Sequence, residues 1–290
     1  MVQNRAPNPL ASFMRQPKVY ITLPSNGMFY PEGSIDLPEN SQLAVFSMTA
    51  KDELMLNIPD ALMNGQAVVD IIQNCVPQIK NAWHIPSIDI DLLLLAIRLA
   101  TYGEIMKTPV VLKEGLEFEY QVDIRTVMDN LLENITWDPV IPIHQDMTIY
   151  VQPLNYSQMN KTAVKTFETQ KIMQAVNDEN LSEEQKVTIF KDSFAKLSDV
   201  TMGVIAESIF KIETSQGTVE YKDYIKDFVM NCDKEIFNKI QKHLENLQKI
   251  NSIKPIEIEV TEEMRAQGVT EDKVQIPLTF DPSNFFATGF

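Results

Sequence analysis

Ser87-Ile88-Asp89-Ile90-Asp91-Leu92-Leu93-Leu94-Leu95-Ala96-Ile97-Arg98-Leu99-Ala100-Thr101-Tyr102-Gly103 is the stretch that decides the fold. From Leu92 to Ile97 every residue is apolar, so a helix here has no wet face and belongs at the centre of a packed unit. Ser87 stands where an N-cap is expected, and Gly103 where the chain leaves the helix. Asp89 and Asp91 resemble an acid/base pair at first sight. Two residues apart on a helix they diverge by about half a turn, and stabilising the positive end of the helix dipole explains them better. Arg98 is the one charge within the apolar stretch. It is expected either to extend its head to water or to pair with a carboxylate, Asp60 or Asp70 of the same chain or one on a partner.

Working outward toward the N-terminus, Val68, Val69, Ile71, Ile72, Cys75 and Val76 form a wide apolar stripe, so Gln66 to Val76 reads as a helix at least half buried. Asn64-Gly65 and Pro59 separate it from a shorter helix ending near Leu56, which Thr49 and Asp52 start as a short-acid capping box. Lys18 to Leu23 and Leu43 to Phe46 read as strands, with turn signals at Pro24-Ser25-Asn26-Gly27. Toward the C-terminus, Lys107 to Val122 reads as a hairpin turning at Glu114-Gly115, Asp123 caps a helix through Leu132, and a strand pair is expected between Ile141 and Leu154. Asn155 to Val176, Ser182 to Ile212 and Lys222 to Ile250 carry helical periodicity, with a capping box at Ser182 and Gln185 and a short hairpin expected at Thr214 to Tyr221. Strands return at Ile256 to Val260 and Val274 to Phe280. These elements predict an α+β fold: a mobile N-terminal arm at 1–17, a mixed domain of strands and short helices at 18–154, a long-helix domain at 155–255, and a terminal strand pair and tail at 256–290 that folds back on the first half.

The charge narrows the class of partner. Net charge is −15, with 9 basic against 18 acidic residues in the first 150 positions and 16 against 22 in the rest. A nucleic-acid partner requires a basic face to neutralise phosphates. Only a weak group at Lys239, Lys242 and Lys249 approaches one, so direct nucleic-acid binding is not expected. No apolar run is long enough to span a membrane. Cys75 and Cys232 lie far apart within helical patterns, as small buried hydrophobes that fit a reducing cytosol.

Chemistry is hard to find. There is no phosphate-binding glycine loop, nucleophile elbow, zincin helix or dinucleotide fingerprint. His84, His144 and His243 are dispersed, each without a second ligand at metal-binding spacing. No enzyme activity, cofactor or metal is expected. The residues that stand out suit contacts instead. Trp83 and Trp137 each lie beside a proline turn, as core anchors or as binding hot spots. Of the 14 methionines, Met48, Met55 and Met63 cluster in the first helical block, as core filler or as an adaptable surface. With Arg98 these are the candidate partner-binding residues.

The blocks Phe46-Ser47-Met48-Thr49-Ala50-Lys51-Asp52-Glu53-Leu54, Pro59-Asp60-Ala61-Leu62-Met63-Asn64-Gly65, Pro86-Ser87-Ile88-Asp89-Ile90-Asp91 and Ile97-Arg98-Leu99-Ala100-Thr101-Tyr102-Gly103 resemble, in order and spacing, the baseplate hub family of T4-like contractile-tailed phages. Leu278 to Phe286 is similar to the terminal segment of longer members. The Cys-x-x-Cys knuckles associated with this pattern are missing from Val110 to Tyr120, so no structural zinc carries over and that hairpin is expected to hold by its apolar face. The resemblance implies a baseplate hub assembly protein, a chaperone for hub subunits or a hub subunit itself, which binds hub or tape-measure proteins. It implies work in the cytoplasm of the infected bacterium and leaves open a place in the virion baseplate and self-association. Two other functions remain open at this point: a chaperone coating the tape-measure protein, and a tail-carried cell-wall hydrolase whose carboxylates converge from separate loops.

Overall fold

A computed structural model of the chain describes residues 10, 14–56, 58, 64–113, 116–144, 146–175, 182–266, 269 and 272–276, with backbone alone at 109–113, 116–118, 174, 175, 263 and 266. The fold is α+β. Strands β1 (Pro17–Thr22) and β2 (Gln42–Phe46) pair antiparallel, and α1 (Ala50–Leu56) and α2 (Gln66–Cys75) follow. The Thr49–Asp52 capping box is formed: Thr49 N–H donates to the Asp52 carboxylate at 2.7 Å and Asp52 N–H to Thr49 Oγ1 at 3.3 Å. Gly65 enters α2 at φ 77°, where a Cβ would stand 2.5 Å from Asn160 Nδ2, so both conformation and space require glycine.

Helix α3 (Ser87–Tyr102) is the expected central helix. Leu92, Leu93, Leu95, Ala96 and Ile97 are inaccessible, in one core with Leu43 and Val45 of β2 and Ile71 and Ile72 of α2. Each such Leu or Ile contributes about 1.5–3 kcal/mol by burial, which makes this stretch the main source of cohesion in the first half. The start of the helix differs from expectation. Pro86, extended at φ −67°, is the N-cap and Ser87 is the first helical residue, making no side-chain cap. The Ser87 N–H is taken by Leu154 O at 2.8 Å, where the returning chain runs alongside. Asp89 lies in the first turn, as expected, and has a further task. Its buried carboxylate accepts from Ser25 N–H (2.9 Å), Ser25 Oγ (2.5 Å) and Tyr30 Oη (3.0 Å), clamping the loop after β1 onto the central helix.

Strands β3 (Ile105–Lys113) and β4 (Leu116–Asp123) make the expected hairpin, with Val122 buried in the first core and Tyr120 packed against it, while the Glu114-Gly115 turn and the side chains at 109–113 and 116–118 lie outside the described residues. Asp123 caps α4 (Ile124–Asn134), accepting from Arg125 N–H at 2.8 Å. Strands β5 (Val140–His144) and β6 (Met147–Val151) follow, then the long helices α5 (Tyr156–Ala175) and α6 (Glu183–Ser208), with both arms of the Ser182–Gln185 capping box present. Strands β7 (Ile209–Thr214) and β8 (Gly217–Val219) form the expected short hairpin, begun earlier than its sequence signal because Ile209 and Ile212 pair with β6. The helical signal from Lys222 to Ile250 is broken at Cys232 and Asp233, both extended, giving α7 (Lys222–Asn231) and α8 (Lys234–Asn251).

The sheet order β5-β6-β7-β8 has a consequence for the surface. β6 and β7 are neighbours, so the α5–α6 pair is an excursion between two adjacent strands. The sheet takes two strands from each side of residue 155, and Ile149, Val151, Ile209, Ile225 and Ile240 form a second core across that point. Strands β9 (Ile256–Glu259) and β10 (Lys273–Ile276) pair antiparallel around α9 (Glu262–Ala266) and pack near Tyr120, folded back on the first half. Residues 277–280 of the second expected strand lie outside the described residues. Of the arm expected at 1–17, Arg15 is anchored by Ser47 O and Asn74 O, both at 2.6 Å.

Candidate functional site

Of the six residues singled out for partner binding, the five that are described do not share a surface. Met48 is buried, and its N–H donates to Thr101 Oγ1 at 3.0 Å. Met55 is half-buried on α1, and Met63 and Asp60 lie outside the described residues. Trp83 tilts over Tyr156 at 5.6 Å beside the first core. Trp137 covers the second core, donates its Nε1–H to Val151 O at 3.2 Å, and meets the edge of Phe29 at 6.2 Å. Arg98 is 6% exposed, with its guanidinium 5.2 Å from the Tyr102 ring centroid. Asp70 accepts from Gln66 Nε2 instead. Trp83 and Trp137 at these places hold elements of one chain together, as core anchors do, while the Arg98–Tyr102 contact lies within α3.

Asp52 and Asp89, buried carboxylates capable of acid/base work, have structural tasks. Asp52 accepts from Thr49 and from Asn74 Nδ2 at 2.9 Å. Burial raises the Asp89 carboxyl to about 6, against the pull of its bonds from Ser25 and Tyr30, and the Tyr30 hydroxyl is pushed far up by burial and then by Asp89. His243 Nε2 lies 2.9 Å from Asp138 O, and His144 is exposed on β5. Cys75 is buried and its thiol is pushed up to about 12, chiefly by burial, so it is a poor nucleophile. Among the described residues no group of three or more His, Cys, Asp and Glu could hold a metal ion, and no helix is long and apolar enough to cross a membrane.

What the sequence reading missed is the outer face of the α5–α6 excursion. Val187, Phe190 and Phe194 follow one another at i, i+3 and i+7 on α6, a spacing that sets them on one stripe. They are 52%, 53% and 62% exposed. On α5, Phe167 and Ile172 are exposed as well, Phe167 with Lys171 Nζ 4.5 Å from its ring. The signal was present in the i, i+3, i+7 spacing, but the same pattern is what a core-facing helix shows. Only the structure shows that, among the described residues, this face is left exposed. The stripe on α6 leaves on the order of 300 Å² of side-chain surface in water, about 7 kcal/mol of burial not realised within the chain. That is comparable with the whole stability of a typical domain, and it suits a surface completed by association.

Comparisons with known proteins agree with the motif blocks. A family model described as T4 bacteriophage base plate protein matches residues 22–272. Comparison with curated proteins and comparison with solved structures each give no match. The matched span takes in the central helix, both large cores and the helical excursion, and the chain belongs to the T4 bacteriophage base plate protein family.

Proposed function

We propose that this baseplate protein is a hub assembly protein, a chaperone for hub subunits or a subunit itself, that acts by binding proteins and not by catalysis. The observation that carries this reading is the exposed stripe Val187, Phe190 and Phe194 on α6, set beside Asp52, Asp89, Trp83 and Trp137, which serve the fold. A surface of this kind is favourable to bury and costly to leave wet. Its partners on this reading are hub or tape-measure proteins, met in the cytoplasm of the infected bacterium. An acidic chain, and a stripe left exposed among the described residues, support binding of protein over nucleic acid.

A phage lacking this gene tests the role. Such a phage is expected to accumulate hub or tape-measure protein outside particles and to yield no complete baseplates, and restoration of the gene is expected to rescue assembly. Normal infectious particles in its absence would sink the proposal. Mass spectrometry of purified tails then separates the two forms of the role: a fixed copy number marks a subunit, and absence from particles marks a departing chaperone. The exposed helical stripe also favours a second reading, a tape-measure chaperone, because an extended helical client is bound through i, i+3 and i+7 contacts. Retention of tape-measure protein alone, without hub proteins, selects that reading.

A further inference from the structure

Helix α6 packs against α5 on one side and against α7 on the other, while α5 and α7 make no comparable contact with each other. Three helices placed in this way resemble a four-helix bundle that lacks one member. The space left between them is a slot of 920 Å³, lined from all three. A helix about 10–12 Å across fills roughly 500 Å³ per turn, so the slot accommodates on the order of two turns.

Its floor contains Gly203, within α6. Glycine in a helix interior costs about 1 kcal/mol relative to alanine, and a conformational or packing need normally offsets that cost. Here φ is ordinary and a Cβ at Gly203 would meet no atom within 4 Å. Nothing in the described chain calls for the missing side chain. A helix seated in the slot does, since it brings its own side chains down onto this position.

The walls give the charge of the occupant. Lys161 and Lys165 face the slot from α5 against Glu168, and Lys222 and Lys226 from α7 against Asp223. Each wall is therefore net positive, in a chain whose net charge is −15. Lys222 donates to Ile209 O at 2.6 Å. The side-chain amines of Lys161, Lys165 and Lys226 make no hydrogen bond or ion pair among the described residues, and the Lys165 carbonyl accepts from Thr169 Oγ1 at 2.8 Å. The floor is mixed, with Lys196 beside Asp199 and Glu207.

We propose that the slot receives one helix of another baseplate protein, amphipathic, with an apolar underside above Gly203 and carboxylates along both flanks. This deepens the protein-binding role proposed above and rests on it. Helix-in-groove recognition supplies the apolar contact, and the lysine walls set orientation and a dependence on salt.

The test uses the full chain co-expressed with the tail proteins and treated with a carbodiimide, which joins lysine amines directly to carboxylates. Amide links are expected from Lys161, Lys165 or Lys226 to a partner peptide rich in Asp and Glu with apolar residues at i, i+3 and i+4. Gly203→Leu is expected to cut that yield tenfold or more while its melting temperature stays at or above the wild type's, because leucine occupies open space and favours the helix. The double variant Lys165→Glu, Lys226→Glu is expected to cut it similarly, and serves should Gly203→Leu fold poorly. Unchanged yield in both variants overturns the slot, as do links to a second copy of this chain or to a peptide without that pattern. In those cases retention of tail proteins by other surfaces leaves the binding role standing. A wild-type chain that retains no tail protein overturns the role itself.

Discussion

Replacing Asp89 with asparagine should alter how stability depends on pH. The carboxylate is inaccessible and accepts three hydrogen bonds, two from Ser25 and one from Tyr30. Burial raises its pKa and those bonds pull it back, for a net value of about 6 against 3.8 for the free group. A carboxyl whose folded pKa lies above its unfolded pKa binds its proton first in the folded state. The penalty of burying the charge is thus fully present above about pH 6 and gone below the unfolded value, and the folded state gains stability as pH falls between the two. Integrated from about pH 8 to about pH 5, one such group adds about 1 kcal/mol. Asparagine keeps the shape, retains an oxygen for the Ser25 N–H and titrates nothing. Asp91, also raised to about 6 by burial, is present in both proteins and cancels. Urea unfolding at the two pH values measures the difference. The wild type is expected to gain about 1 kcal/mol relative to Asp89→Asn on acidification. Parallel pH dependence, or a relative loss by the wild type, would refute the buried ionised clamp.

Other variants probe packing and caps. Leu93→Ala, at an inaccessible position in the central helix, is expected to lose about 2–5 kcal/mol, read by denaturant titration. Gly65→Ala combines a φ of 77° with a Cβ 2.5 Å from Asn160 Nδ2, and a loss of about 1–3 kcal/mol is expected. Adding Asn160→Ala should recover the steric part alone, so full recovery would show that the backbone carries no strain there. Ser182→Ala removes half of a capping box, and about 1 kcal/mol of local protection should disappear from the first turn of α6 in hydrogen exchange, with the Ile205 end unchanged.

The contrast between α3 and its own first turn shows where sequence reading stops. The apolar run from Leu92 to Ile97, set within a longer segment that starts at Ser87 and exits at Gly103, points to a buried helix, and the fold contains it. The cap and the two aspartates looked equally local. Their partners, Leu154 for the Ser87 N–H and Ser25 for Asp89, are distant in sequence, and no spacing rule reaches them. The capping boxes at Thr49 and Ser182 were legible because both partners lie within one turn. Residue type alone leaves two readings open for the candidate surface, core anchor or contact. Trp83, Trp137 and Arg98 are residue types enriched at interfaces, but the chain uses them on its own cores. The stripe at Val187, Phe190 and Phe194 has the spacing of an ordinary buried face, but the structure leaves it exposed. Its exposure follows from β6 and β7 being neighbours, which turns α5 and α6 into an excursion.

Capture of partners by the full chain, with Phe190→Ser, Phe194→Ser as the comparison, tests the central claim most directly. Co-expressed with the tail proteins, the wild-type chain is expected to retain hub or tape-measure protein in stoichiometric amount through purification, and the double variant to lose most of it while unfolding as the wild type does, since both side chains already face water. A wild-type chain that retains neither protein, or a double variant that binds as well as wild type, would contradict the account.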